Sequence, residues 1–185
     1  MNRLPLTFIT SSENKLQEVE RLLGRQLLRA NVALEEIQDI ALEPVVTHKA
    51  RQAYAQVQRP VLVEDTGLAF AAWNGLPGAL VKWFLAALGT EGLCRLLQGE
   101  VNRSAVASTL FAHYDGKLLR IFTGTVEGIV PVLPRGGSGF GWDAIFQPLE
   151  SEQTFAEMTP EEKDRFSMRR FALEQLRASG LLDSR

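Results

Sequence analysis

Val61-Leu62-Val63-Glu64-Asp65-Thr66-Gly67 is the stretch on which the reading of this chain turns. Its first three residues are apolar and two of them are β-branched, which suits a buried strand. Two carboxylates, a hydroxyl and a glycine follow, and the strand is expected to end where they begin. Upstream, Ala50, Ala53, Tyr54 and Val57 mark a helix that stops before Pro60. Downstream, Leu80 to Leu88 and Gly92 to Leu97 read as two short helices. Ser104 to Tyr114 and Leu118 to Val132 are long β-rich stretches parted by the turn Asp115-Gly116. Helices interleaved with strands, beside a long β-rich middle, predict an α/β protein with a mixed sheet.

The flanks fill in the rest. Leu4 to Ile9 is a short apolar run ending at Thr10-Ser11-Ser12, a cluster suited to a helix start. Leu16, Val19, Leu22 and Leu23 then recur at helical spacing until Gly24 stops the pattern, and a second strand is expected over 27–34. A Gly-rich loop carries Gly136, Gly137, Gly139 and Gly141. Thr159-Pro160-Glu161-Glu162 supplies an N-cap, a first-turn proline and a capping-box Glu for a final helix. The apolar stripe of that helix runs Phe166, Leu173, Leu176, with Arg169 where another apolar residue should fall.

Composition narrows the chemistry. With 185 residues, 45% hydrophobic and 23% charged, the chain is expected to form a single domain over 1–185. Lys plus Arg total 20 against 22 Asp plus Glu, so the net charge of −2 gives no general reason to expect nucleic-acid or membrane-surface binding. One cysteine excludes an intrachain disulfide framework, and two histidines exclude a His-rich zinc site. No apolar run approaches the ~20 residues of a membrane span. Met1 to Pro5 does not read as a signal peptide, so a cytoplasmic protein is expected. Chemistry must then run on carboxylates, Lys and Arg, with or without a metal.

Four segments could carry it. Thr10-Ser11-Ser12-Glu13-Asn14-Lys15 would bring hydroxyls, backbone N–H groups and a cation to a helix start, an anion site, or else is a capped helix with a solvated lysine. Glu64-Asp65-Thr66 could seat hard Mg²⁺, or be surface acids at a strand end. Gly139-Phe140-Gly141-Trp142-Asp143 offers a stacking ring and an acceptor for a nucleobase, or two core aromatics beside a tight turn. Lys163 and Arg169 line a buried polar site, or snorkel to the surface. Together they are the parts of a nucleotide-binding cleft.

The order of these pieces resembles the inosine triphosphate pyrophosphatase family from about Thr7 to Arg177. The resemblance rests on Val63 to Gly67, Gly75-Leu76-Pro77-Gly78, Pro134-Arg135-Gly136, Phe140 to Asp143, and Thr154-Phe155-Ala156-Glu157-Met158 with Glu162-Lys163. It implies a long mixed sheet with two α/β lobes, an active cleft between them and a homodimer. The implied reaction is Mg²⁺-dependent hydrolysis of deaminated purine nucleoside triphosphates to the monophosphate and pyrophosphate. It assigns Asp65 as general base and metal carboxylate, with Glu36 as the second metal carboxylate and Glu43 as its fallback. Thr10, Ser11, Ser12, Lys15, Lys49 and Thr66 would hold the triphosphate. Phe140 would stack on the base, with Gly141, Trp142, Asp143, Lys163, Met168 and Arg169 around its edge. Two departures stand out: the family's Thr-Gly-Asn is Thr10-Ser11-Ser12 here, and its Ser-His-Arg is Ser167-Met168-Arg169. Methionine brings no imidazole donor. The same chemistry on a different modified base, or a weakly catalytic nucleotide-binding protein, are therefore the two alternatives.

Overall fold

In the computed structural model, which describes residues 6–182, the chain runs β1 (Thr7–Ile9), α1 (Glu13–Leu23), β2 (Leu28–Ala30), α2 (Leu42–Val57), β3 (Val61–Phe70), β4 (Pro77–Gly78), α3 (Val81–Leu96), β5 (Ser104–Tyr114), β6 (Leu119–Ile129), β7 (Gln147–Pro148), α4 (Pro160–Phe166) and α5 (Met168–Ala178). The Met1 to Pro5 leader reading, and the first two residues of the 4–9 apolar run, lie outside the described residues. The sheet has seven strands in the order β2-β1-β3-β5-β6-β7, with β4 attached to β3. β1 is parallel to β2 and β3, whereas β5, β6 and β7 continue antiparallel from β3. The sheet is therefore mixed, as expected.

Strand alternation sorts the core onto two faces. Phe8, Leu62, Phe111 and Phe122 meet Leu16 and Val19 of α1 and Leu173 and Leu176 of α5. On the other face, Ile9, Val61, Val63 and Leu110 lie beneath Val46, Ala50 and Ala53 of α2. A separate core at the far end of β3 joins Leu68 and Phe70 to Val81, Leu93, Trp142, Phe146 and Phe155. Two lobes thus share one sheet. Each fully buried Phe or Leu contributes roughly 1.5–3 kcal/mol relative to exposure.

Five elements differ from expectation. β3 does not stop at Val63: β5 pairs with it from Val61 to Phe70, which keeps Glu64 to Gly67 extended. α2 starts at Leu42 rather than near Ala50, because Val45 and Val46 are buried, Val46 in the core against the sheet, even though Ala41 supplies no side-chain cap. The two expected helices over 80–97 are one element, α3, broken at Gly89 (φ 67°, ψ 179°). The final helix is two: Ser167 leaves helical geometry (ψ 122°), and its side chain accepts from the amides of Arg169 and Arg170, so α5 has its own N-cap. The capping box at Thr159 and Glu162 and the αL cap at Gly24 form as read. The second strand is shorter than 27–34, only Leu28–Ala30.

Candidate active site

β1 accompanies β3 only to Val63, and β4 joins on the same side only at Leu68. Glu64 to Gly67 therefore have no strand partner on that side, and a cleft opens beyond the carboxyl end of β1. Alternation sends Glu64 to the α1/α5 face with Leu62, and Asp65 to the α2 face with Val63. The two adjacent carboxylates work on different partners.

Asp65 Oδ2 accepts from Lys49 Nζ at 2.8 Å, and Lys15 Nζ stands 4.0 Å from Oδ1. Burial alone would raise its pKa, but Lys15 and then Lys49 outweigh it and hold the carboxyl below the usual range. Burial acts against the Lys49 ammonium too, yet Asp65, with Glu36 and Glu64, raises it above the ordinary value. Glu36 lies 3.8 Å from Lys49 and 2.8 Å from Lys82 Nζ. At the start of α1, Thr10 Oγ1 accepts from the Ser12 amide and Ser12 Oγ accepts from the Lys15 amide. Those hydroxyls hold the turn and leave the first N–H groups of α1 at the cleft.

These residues line a hollow of ≈ 440 Å³ that contains Thr10, Ser11, Ser12, Lys15, Glu36, Lys49, Glu64, Asp65 and Lys82. A second hollow of ≈ 270 Å³ shares Ser12, Lys15, Asp65 and Lys82 with it. Its other walls are Thr66, Phe140, Gly141, Trp142, Asp143, Met168 and Arg169, together with Val81 and Leu85. Lys163 lies across Phe140, in a third hollow of ≈ 240 Å³ that it shares with Glu18. Glu43 lines none of the three, so the fallback carboxylate stands away from the cleft.

Behind the walls runs a chain of alternating charges. Asp143 Oδ2 meets Lys163 Nζ at 2.8 Å; Lys163 meets Glu18 at 3.4 Å; Glu18 meets Arg169 Nη1 at 2.6 Å. Arg169 meets Glu64 at 2.8 Å, and Glu64 Oε2 lies 3.4 Å from Lys15. Arg169 is 1% exposed; burial would disfavour its charge, but Glu64 and Glu18 raise its pKa further above an already high value. Burial opposes the Glu18 carboxylate as well, and Arg169 and Lys163 still hold it below the ordinary range. Asp143 is bracketed more than it is offered: its Oδ2 also accepts from the Phe140 amide at 2.8 Å. Trp142 and Met168 sit mainly in the apolar core, edge-on to Phe146 in the case of Trp142. Phe140 is the half-buried ring facing the cleft.

Sequence pattern alone does not single out Glu18 or Lys82, and it offers Glu64 as a metal or surface carboxylate beside Asp65, not as the partner of Arg169. Glu18 reads as one more polar residue of an amphipathic helix, and Lys82 as a solvated lysine. Only the basic residue directly after Gly-Leu-Pro-Gly-Ala-Leu-Val hinted at the latter. For a divalent metal, the donors are hard carboxylate oxygens, and Glu64 Oε2 is buried without a hydrogen-bond partner. No three His, Cys, Asp or Glu side chains converge as a ready-made cage among the described residues. Such a set fits Mg²⁺, which characteristically takes one or two carboxylates and completes its shell with water and substrate phosphates.

The profile of the Ham1 family matches residues 6–179. Over 179 residues the chain is 43% identical to the inosine triphosphate pyrophosphatase of Yarrowia lipolytica, covering 94% of each. It is 40% identical over 173 residues to the dITP/XTP pyrophosphatase of Thermococcus kodakarensis, covering 92% of this chain and 94% of that one. A solved HAM1 protein structure from Coxiella burnetii superposes with a TM-score of 0.81 at 28% identity, covering 95% of this chain and 98% of the other.

Proposed function

The chain belongs to the Ham1 family, and we propose that it hydrolyses deaminated purine nucleoside triphosphates, such as ITP, dITP and XTP, to the monophosphate and pyrophosphate. The observation that carries this reading is the pair of adjoining hollows that share Lys15 and Asp65: one rich in lysines and carboxylates, the other walled by a ring. The relatives' names, inosine triphosphate pyrophosphatase and dITP/XTP pyrophosphatase, agree with it.

In this mechanism the N-terminus of α1, Thr10, Ser11, Ser12, Lys15, Lys49 and Thr66 hold the triphosphate, and Lys82 reaches it from α3. Their cations offset the charge that gathers on the phosphate oxygens. Asp65, ionised throughout the neutral range, orients the attacking water and accepts its proton. Glu36 and Asp65 would hold Mg²⁺, which supplies charge neutralisation at the phosphates. Phe140 stacks on the base. Lys163 and Arg169, braced by Asp143, Glu18 and Glu64, present donors to a 6-oxo group; a 6-amino group leaves such donors unpaired and is rejected.

A second reading keeps the chemistry and changes the base. It is favoured by Met168, whose side chain joins Leu68, Val81 and Trp142 in the core and presents no donor where the resemblance leads one to expect histidine. Purified protein with Mg²⁺ and a panel of ITP, XTP, ATP and pyrimidine triphosphates tests both. Pyrophosphate release fastest with ITP or XTP supports the first reading. A preference for another base supports the second, and orthophosphate release or no turnover rejects the reaction. No described helix is long and apolar enough to cross a membrane. A homodimer in the cytoplasm, without nucleic-acid or membrane partners, completes the proposal and is checked by sedimentation and fractionation.

A further inference from the structure

Phe140 lies over two buried cations, its ring 4.9 Å from Lys163 Nζ and 5.8 Å from the Arg169 guanidinium carbon. Its loop includes Gly136 (φ 87°) and Gly139 (φ 76°), conformations that side chains disfavour and that leave the backbone little preference of its own. The ring's place must be set from outside the loop. One bracket is Asp143, whose Oδ2 accepts from the Phe140 amide.

The other bracket lies on the amino-terminal side of the ring. Ser138 Oγ donates to the Ala156 carbonyl at 2.6 Å, and the Ser138 amide donates to the same oxygen at 3.1 Å. Gly136 packs so closely on Ala156 that a Cβ there would overlap its carbonyl. The turn below is itself locked. Thr154 Oγ1 donates to the Arg135 carbonyl at 2.9 Å, and the Thr154 amide donates to Glu157 Oε2 at 2.8 Å. Arg135 Nε stands 3.4 Å from that same Glu157 oxygen. Pro134-Arg135-Gly136 and Thr154 to Met158, which the reaction itself does not use, thus form one platform under the ring.

We propose that Ser138 is a positioning residue for the nucleobase: it clamps the Phe140 loop to the Ala156 carbonyl and so sets affinity for the base, not for the phosphates. This rests on the pyrophosphohydrolase reading above. Ser138 touches neither the Lys15–Asp65 hollow nor any of its lysines, so its effect is confined to the base end. Without the hydroxyl the amino-terminal bracket keeps only the amide's bond to Ala156, Asp143 alone still holds the Phe140 amide, and the ring samples more positions. Loss of one hydrogen bond of ordinary strength corresponds to about a fivefold change.

The test compares wild type, Ser138→Ala and Ser138→Thr by steady-state kinetics on ITP, and by calorimetric binding of inorganic tripolyphosphate with Mg²⁺ as a probe that has no base. The expected result is a KM for ITP raised about fivefold in Ser138→Ala, with kcat and tripolyphosphate affinity unchanged, and recovery in Ser138→Thr. An unchanged KM overturns the proposal. So does an equal loss on both probes, which would mean general loosening. Absence of turnover by the wild type removes the functional reading and this proposal with it; an active wild type with an unaffected variant removes this proposal alone.

Discussion

Arg169 donates from Nε and Nη2 to a single oxygen of Glu64, at 3.2 and 2.8 Å, across 105 residues of sequence. Its third nitrogen faces Glu18 at 2.6 Å. One guanidinium therefore joins the first turn of α5 to β3 and to α1, inside the protein. A buried ion pair gains little over an apolar replacement, but removing one partner strands the other charge without water. Arg169 is thus both a wall of the cleft and a pin through the fold.

Arg169→Ala is expected to lower stability by about 3–5 kcal/mol, because the buried carboxylates of Glu18 and Glu64 lose their shortest ion pairs and keep only Lys163 and Lys15, each 3.4 Å away. Urea unfolding checks it. Adding Glu18→Gln and Glu64→Gln to the same variant is expected to recover part of the loss; no recovery would mean that packing, not charge, is what Arg169 supplies.

Asp65→Asn is expected to cut turnover about 10²–10⁴-fold while the protein stays folded, the usual worth of a positioned acid or base. Since Lys15 and Lys49 hold the carboxyl low despite its burial, the acid limb of the rate profile should begin only below the ordinary carboxylate range near ~3.9. The same depression stabilises the fold at pH values above that range, and the contribution is lost as pH falls through the lower native pKa. Rate and urea midpoint measured from acid to neutral pH test both.

Lys82→Ala should raise KM for the triphosphate about three- to tenfold with kcat little changed, since an exposed cation contributes binding more than chemistry. Lys82 is paired with Glu36 at 2.8 Å. The increase should shrink at high salt, where exposed charges are screened. An effect that persists unchanged in 1 M salt, where the Debye length is only about 3 Å, would argue against a charge contact.

His113 on β5 is buried, and burial lowers its pKa. The unfolded chain then binds the proton more readily than the native one, so stability should decline as pH falls below the unfolded value near ~6.5. His113→Phe is expected to flatten that decline in urea titrations between pH 7 and 5.

The parts of the fold that were legible in advance are those settled within a few residues. Ser12 and Gly24 bound α1, Thr159, Pro160 and Glu162 start α4, and Asp115 Oδ1 accepts the Lys117 and Leu118 amides in the β5–β6 turn. Missed features all depend on distant partners. The start of α2 has no side-chain cap and two β-branched valines, and it is helical because those valines are buried. Glu64 to Gly67 look like a turn and are a strand because β5 pairs with each of them. Ser167 looks like an interior helix residue, and breaks the helix so that Arg169 enters the protein at a helix start.

For the site, sequence alone determined the inventory: which hydroxyls, lysines, carboxylates and rings the chain can bring, and their order along it. Tertiary structure decided the partnerships. Alternation on β3 sent Glu64 to Arg169 and Asp65 to Lys49, and the folding of α1 onto α5 made Glu18 the bridge between Lys163 and Arg169. Chain order carries no such information. A side chain's charge state and its partner depend on which atoms, contributed by segments far apart in sequence, share its buried, low-dielectric surroundings.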